Sequence, residues 1–261
     1  MKKRLLAAVL ATALALGFSA CTLNVNRSEY LDFINSLSET AVKGSVKIEI
    51  VYSRGAGPLS QAYIAQGSGV IYEQEAGWYY ALTNNHVVAE DPEFPEYTMI
   101  VYDCYGNMYE GSVVDSSAED DLAVVKFPAQ EDIAGEYPEL KIIGFADDNP
   151  DTGDVVASVG APDGKFNSVT LGRVRGYSTV QLSEEVSSSS VAYPVVCHTA
   201  ITHQGSSGGM LLNERLEIVG VNFAGAVNED GDGGEQFVEG YAIPLKKVLA
   251  FLDIGGTTFA W

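Results

Sequence analysis

The sequence predicts an all-β protein, and three observations carry that expectation. Short runs rich in Val, Ile and Tyr recur from Ser45 onward. Gly, Pro, Asn and Asp punctuate them as turns. The chain left after an export signal has 241 of the 261 residues, which suits one large β unit or two small barrels.

In chain order, residues 1–20 read as a signal peptide outside the fold. Lys2, Lys3 and Arg4 form a charged start, Leu5 to Gly17 a short apolar core, and Phe18-Ser19-Ala20 leads into Cys21. The stretch is a bacterial secretory signal, too short to span a membrane. Small residues directly before a Cys resemble a lipoprotein cleavage box, which makes Cys21 the expected lipidation site. An ordinary signal cut near Ala20 is the alternative. More than one acyl chain on Cys21 would hold the protein firmly at a membrane surface.

Residues 21–44 then form a lipidated tether and a short helix. Ser28 to Ala41 predicts that helix, with Leu31, Ile34 and Ala41 on one face and Ser28 as N-cap. Strands are expected at Val46–Tyr52, Tyr79–Leu82, Met99–Tyr102, Leu122–Phe127, Val155–Val159, Val191–Val196, Ile218–Val221 and Gly240–Ile243. Residues 128–152, with Pro, Asp, Glu and Gly, join two halves. Leu245 to Leu252 reads as a closing helix after Pro244.

Charge excludes some partners. The whole chain has 15 Lys and Arg against 35 Asp and Glu; removing the three basic residues of the signal leaves 12 against 35, a net of −23. Such a surface repels nucleic acid and anionic headgroups, so no nucleic-acid partner is expected, and membrane attachment must come from acyl chains.

The chemistry concentrates at three strand ends. Thr83-Asn84-Asn85-His86 follows one predicted strand, Asp121 opens another, and Gly205-Ser206-Ser207-Gly208-Gly209 precedes a third. Each piece alone is a common structural feature: a glycine-serine turn, a strand-end Asp, a buried His. Together, in the order His, Asp, Ser, they supply a nucleophile, a base and an orienting acid. A serine hydroxyl is a poor nucleophile until an imidazole takes its proton, and the imidazole needs a carboxylate to hold its tautomer. Small residues around the serine let the backbone aim N–H groups at a developing oxyanion.

These segments resemble the trypsin-like serine proteases, in particular the HtrA (Deg) branch. The resemblance rests on Gly67-Ser68-Gly69-Val70-Ile71, Leu82 to Val88, Asp121 to Lys126, Gly205 to Asn213, Ile218 to Asn222 and Gly240 to Pro244, in the family's order over roughly residues 45 to 253. It implies two six-stranded antiparallel β-barrels, the first at about 45–135 and the second at about 150–245, within a protease domain of 45–261. The departures are Ser206 where the family usually has Asn, Met210 where it has Pro, and Thr199 where an Asp is common. No PDZ-like module is expected after the closing helix.

By that resemblance Ser207 attacks the scissile carbonyl, His86 is the base and then the acid, and Asp121 rather than Asp120 orients it. Asp120 reads as a solvated charge. The backbone N–H groups of Gly205 and Ser207 form the oxyanion hole. Ile201 lies near the base of the primary specificity pocket, which favours a small or medium apolar residue before the cut. Asn222, Phe223, Ala224 and Gly225 offer a strand edge to an extended substrate. His198 and His203 read as structural. Ser206 carries no charge to receive a freed N-terminus, so no activating cut is expected.

No cofactor and no metal is expected. Asn228 to Glu235 fails the full calcium-loop spacing and reads as a solvated hairpin loop. Cys104 falls in the first barrel and Cys197 in the second, so a bridge between them is not expected. The resulting expectation is an exported, membrane-anchored serine endopeptidase on the extracytoplasmic face, acting on exported or misfolded polypeptides, with self-association into a homo-oligomer left open. The competing reading is a non-catalytic, lipid-anchored binding protein on a protease fold.

Overall fold

The computed structural model describes residues 27–55, 60–129, 139–180, 191–229 and 235–254. Readings for the signal, for Cys21 and for most of the 228–235 loop lie outside them. From Phe33 onward the chain forms one compact unit.

The first half is a sheet of β1 (Ser45–Arg54), β2 (Gln61–Glu75), β3 (Trp78–Thr83), β4 (Glu96–Tyr102), β5 (Met108–Glu110), β6 (Ser112–Ser117) and β7 (Leu122–Pro128), in the order β5-β4-β1-β2-β3-β7-β6. Strand β1 shows why: its alternate residues Val46, Ile48, Ile50 and Tyr52 are all buried, the period-2 pattern of a sheet with one face on a core. Six strands were expected and seven are found. The two terminal strands, β5 and β6, are consecutive in the chain and separated by Gly111 alone, so the sheet curls until its edges meet there. The Gly111 N–H still bonds the Met99 carbonyl at 3.1 Å. A Cβ at Gly111 would lie 2.7 Å from Val101, so a side chain would push the corner open.

The second half is a closed six-stranded barrel: β8 (Val155–Gly160), β9 (Ser168–Ser178), β10 (Val195–His198), β11 (Met210–Leu212), β12 (Ile218–Glu229) and β13 (Glu235–Pro244), in the order β10-β13-β12-β11-β8-β9. The strand expected at Val191–Val196 sits further on, as β10. The strands expected at Ile218–Val221 and Gly240–Ile243 are the cores of a long hairpin. The fold is thus mostly β and of the trypsin-like type expected, with the longer helices at the two ends of the described chain.

Two of those helices differ in detail. The first, α1 (Arg27–Glu39), runs into a 3-10 turn at Ala41–Gly44. It begins at Arg27, so Ser28 lies within it. Its buried stripe is Phe33, Leu37 and Ala41, at i, i+4 and i+8, while Leu31 and Ile34 are exposed. The closing helix, α3, spans Leu245–Phe251, one residue shorter than expected, and buries Leu245 and Val248. Between them, α2 (Asn85–Val88) is a single turn.

A large apolar cluster takes residues from both halves, among them Val70, Leu82 and Leu122 from the first and Val159, Met210 and Ile243 from the second. Shared burial of this kind holds two sheets in fixed relation, and the candidate site lies at their seam.

Candidate active site

Strand β3 delivers His86 on the α2 turn immediately after it. Two buried side chains fix that approach: Thr83 Oγ1 donates to the Ser68 carbonyl at 2.7 Å, and Asn84 Nδ2 donates to the Asp121 carbonyl at 2.8 Å. Asp121 precedes β7 and has φ +52°, a left-handed conformation uncommon for a non-glycine residue. Residues held there tend to mark functional turns. Its carboxylate is fully buried and turns back on His86, whose backbone N–H it accepts at 2.9 Å and whose Nδ1 it meets at 2.8 Å. A carboxylate only accepts, so in the neutral ring Nδ1 carries the proton and Nε2 keeps its lone pair. The His86 side chain remains 20% exposed.

The second half supplies Ser207 on the loop between β10 and β11. That loop is held by its own turns: Ser206 N–H to the His203 carbonyl at 2.9 Å, Gly209 N–H to the Ser206 carbonyl at 2.9 Å, and His203 N–H to Ser206 Oγ at 3.1 Å. Gly208 donates to the Asn222 carbonyl at 2.8 Å, and Ser68 donates to the Ser207 carbonyl at 2.7 Å. Gly205 and Gly208 have φ of +92° and +84°. A Cβ would lie 2.9 Å from the Ala161 carbonyl at the first and 2.1 Å from the Ser68 carbonyl at the second, so only glycine fits.

The Gln204 carbonyl accepts the Asp163 N–H at 2.8 Å. A trans peptide points its N–H opposite to its carbonyl. The Gly205 N–H therefore faces away from the 3-10 turn at Pro162–Gly164, and Gly205 lines the cleft whereas Asp163 does not. Among the described residues no partner takes the N–H of Gly205 or of Ser207.

His86, Gly205 and Ser207 face one cleft of ≈ 660 Å³, bounded by Ile64–Gln66 of β2 on one side and by β12 on the other. Ser207 Oγ donates to the Phe223 carbonyl at 3.3 Å, and among the described residues no hydrogen bond joins it to His86. Phe223 is the bulged residue of β12: Asn222 pairs with Ala242 and Ala224 with Tyr241, which leaves Phe223 without a partner in β13. Strand β11 reaches only to Val221, so among the described residues the β12 edge from Phe223 onward is unpaired on the cleft side.

Of the expected substrate-binding residues, Phe223, Ala224 and Gly225 line the cleft at that open edge. Asn222 also borders it, but its side chain is buried and committed, with Nδ2 donating to Ser158 Oγ at 3.0 Å and Oδ1 meeting His198 Nε2 at 3.1 Å. Ile201, expected near the base of the specificity pocket, is 46% exposed and is not among the residues that line the cleft. Its neighbour Thr202 does, buried, with a hydroxyl that has no partner among the described residues and that faces Gly225. Asp120 is also no free charge: its carboxylate meets Lys247 at 3.3 Å, and its carbonyl accepts from Tyr193 at 2.8 Å.

His198 is buried on β10, and burial, opposed by the Asn222 contact, lowers its pKa to about 4. The buried Cys104 and Cys197 are free, and burial pushes the Cys104 thiol up to about 11, which keeps it protonated. Among the described residues no group of His, Cys, Asp and Glu could hold a metal ion, and no helix is long and apolar enough to cross a membrane.

A family model described as the trypsin-like peptidase domain matches residues 67–221, which takes in β2 from Gly67 onward, all three candidate residues and the start of β12. The chain belongs to the trypsin-like peptidase family. Its relatives are HtrA-type proteins. It is 34% identical over 186 residues to "Serine protease Do-like HtrA" of Bacillus subtilis (strain 168), which covers 70% of this chain and 37% of that one. It is 29% identical over 206 residues to "Serine endoprotease DegS" of Escherichia coli (strain K12), covering 78% and 52%. The solved structure "HtrA-type protease AlgW with decapeptide" matches with a TM-score of 0.61 at 25% identity, covering 85% of this chain and 67% of that one. The chain thus spans between about a third and a half of the length of these curated relatives.

The sequence did not point to Ser68 or Thr202 as side chains of this site. Ser68 stood in a quoted motif, yet its partners lie 93 and 137 residues away.

Proposed function

We propose that this trypsin-like chain is a serine endopeptidase. The observation that carries the reading is the buried Asp121 carboxylate accepting both the backbone and the ring N–H of His86, in the cleft that also holds Ser207. Ser207 Oγ attacks the scissile carbonyl carbon as His86 Nε2 takes its proton. The N–H groups of Gly205 and Ser207 receive the oxyanion. Collapse of the tetrahedral intermediate breaks the C–N bond, and His86 returns the proton to the leaving amine. Water then hydrolyses the acyl-enzyme by the same route.

The missing Ser207–His86 bond is compatible with this scheme, because such bonds commonly tighten only when substrate is present. The unpaired edge from Phe223 to Gly225 suits an extended polypeptide adding as a strand. Exported or misfolded polypeptides are the proposed substrates, and Cys21 the lipid anchor that keeps the enzyme at the extracytoplasmic membrane face. The acidic composition supports attachment through acyl chains rather than through charge.

The deciding experiment is labelling with a fluorophosphonate probe. Wild-type protein should react and Ser207→Ala should not. A wild type that neither labels nor cleaves unfolded protein would support the non-catalytic binding reading instead. For the anchor, Cys21→Ser should move the protein from the detergent phase to the soluble fraction.

A further inference from the structure

We infer that Ser68 is a positioning residue that sets the oxyanion loop from across the seam between the two halves, an inference that rests on the endopeptidase reading above. Ser68 is fully buried on β2, in the first half. All its polar atoms are spent on the active site. Its hydroxyl donates to the Gly205 carbonyl at 2.6 Å and accepts the Ala161 N–H at 2.8 Å. Its backbone N–H holds the Ser207 carbonyl at 2.7 Å, and its own carbonyl receives Thr83 Oγ1 at 2.7 Å, three residues before His86. One residue thus ties the nucleophile, the peptide that follows Gly205 in the oxyanion loop, the turn after β8 and the segment bearing the base.

The packing around it leaves space for that hydroxyl and for little else. A Cβ at Gly160 would lie 2.7 Å from Ser68 Oγ, one at Gly209 3.3 Å from Ser68 Cβ, and one at Gly208 2.1 Å from the Ser68 carbonyl. Three glycines therefore surround one serine. Two peptide groups flank the Gly205 Cα, and both are anchored by their carbonyls: Gln204 by Asp163 N–H and Gly205 by Ser68 Oγ. The second anchor is the only one of the two made by a side chain, so it can be removed without altering the backbone. Without it, the buried Gly205 carbonyl and Ala161 N–H lose their partner, and relieving them by rotating the Gly205–Ser206 peptide disturbs the adjoining Gln204–Gly205 peptide, which carries the oxyanion N–H. An N–H aimed at an oxyanion acts on the transition state and not on bound substrate, so its loss appears in kcat.

The test compares wild type with Ser68→Ala, using peptide-ester turnover and inhibition by a peptide boronate, which forms a tetrahedral adduct at the serine. The expected result is a fall in kcat of roughly 10- to 100-fold with KM changed by less than about threefold, below the full loss of a donor. The boronate inhibition constant should rise by a similar factor. Unchanged kcat and boronate affinity, or a loss confined to KM, would overturn the proposal. Should Ser68→Ala be unfolded at the assay temperature, Ser68→Cys is read in its place, since a thiol is a weaker donor. An intermediate fall in kcat supports the role, and wild-type kcat removes it. Failure of the endopeptidase reading itself is distinct, because the wild type would then show neither turnover nor boronate binding.

Discussion

Ser207 Oγ donates to the Phe223 carbonyl at 3.3 Å, not to His86. The carbonyl is available because the bulge in β12 takes Phe223 out of the ladder with β13. The same acceptor faces the edge where an extended peptide would dock. A peptide placed with its scissile carbonyl at Ser207 brings the N–H of the residue before the cut toward Phe223. Binding and activation are then coupled: the substrate N–H takes the Phe223 carbonyl, and the serine hydroxyl is left to turn toward His86. Methylating that single amide nitrogen in a peptide-ester substrate should lower kcat by about tenfold as well as raising KM, the effect of one lost hydrogen bond at the upper end of the usual range. Steady-state kinetics on the matched pair of esters checks this; an effect on KM alone would show that docking and serine release are independent.

The three candidate catalytic residues should behave as one unit. Asp121→Asn leaves His86 with an amide partner and the wrong tautomer, a change that costs about 10⁴ in kcat in comparable triads. Ser207→Ala and His86→Ala should each cost at least as much, and the double variant little more than either single one. Ser206→Ala should keep turnover within several-fold of wild type, because the Ser206 hydroxyl holds only the His203 N–H. Turnover numbers for the four single variants and the double variant decide the matter, and small additive losses would argue against the assignment.

Specificity should follow Thr202 and not Ile201. The Thr202 hydroxyl is buried at the cleft beside Gly225, whereas the Ile201 side chain points to solvent. Thr202→Val replaces a hydroxyl by a methyl of similar shape and should shift the preferred residue before the cut toward apolar side chains, by roughly tenfold in kcat/KM for a hydroxyl-bearing against an isosteric apolar side chain. Ile201→Ala should leave the profile unchanged. Cleavage of a peptide library varied at that one position reads both outcomes.

His198 makes the fold sensitive to acid. Its folded pKa of about 4 lies below the ordinary value of 6.5, so the unfolded chain takes up the proton first. Its contribution is therefore complete above pH ~6.5 and is lost as the pH falls toward 4, with a ceiling of about 3 kcal/mol. His198→Gln retains a side-chain donor for Asn222 Oδ1 without the titrating ring. Thermal melts between about pH 7 and 4.5 should show a smaller drop in Tm for the variant than for wild type. Parallel curves would mean that His198 takes up its proton at the same pH in the folded and unfolded states.

These expectations show where the sequence was informative. The gathering of His86, Asp121 and Ser207 at one place was legible because short motifs at strand ends carried them. That Thr202 and not Ile201 lines the cleft was not legible, since counting back from Ser207 fixes a position but not which side of an irregular loop faces the cleft. Helix α1 was legible but its packed stripe was not: Leu31, Ile34 and Ala41 were expected on one face, whereas Phe33, Leu37 and Ala41 are buried, an outcome settled only by the surface they meet. Strands β2, β5, β6 and β9 were missed: β5 is short, β6 and β9 are mostly exposed or part-exposed, and β2 has Gly67 and Gly69 in place of a clear alternation. The Ser68 contacts were invisible for a deeper reason: they cross between halves of the chain, and nothing in a Gly-Ser-Gly run says what lies opposite.

The anchoring of the Gln204-Gly205 peptide leads to the final expectation, that the uncut protein is competent. Maturation by cleavage uses a new N-terminus to pair with a charged residue just before the nucleophile. Here that residue is Ser206, which is buried and uncharged and already accepts the His203 N–H. The work of shaping the loop is done instead by Asp163 N–H on the Gln204 carbonyl and by Ser68 on the Gly205 carbonyl. Both contacts come from folded segments and need no released terminus. A flip of the Gln204-Gly205 peptide would break the first contact and withdraw one oxyanion donor, a loss worth about 10²–10³ in turnover. Purified protein of intact mass from Cys21 onward should therefore titrate close to one reactive serine per chain. A preparation that shows no titratable serine until a defined internal cut is made would mean that these two anchors do not suffice to hold the loop.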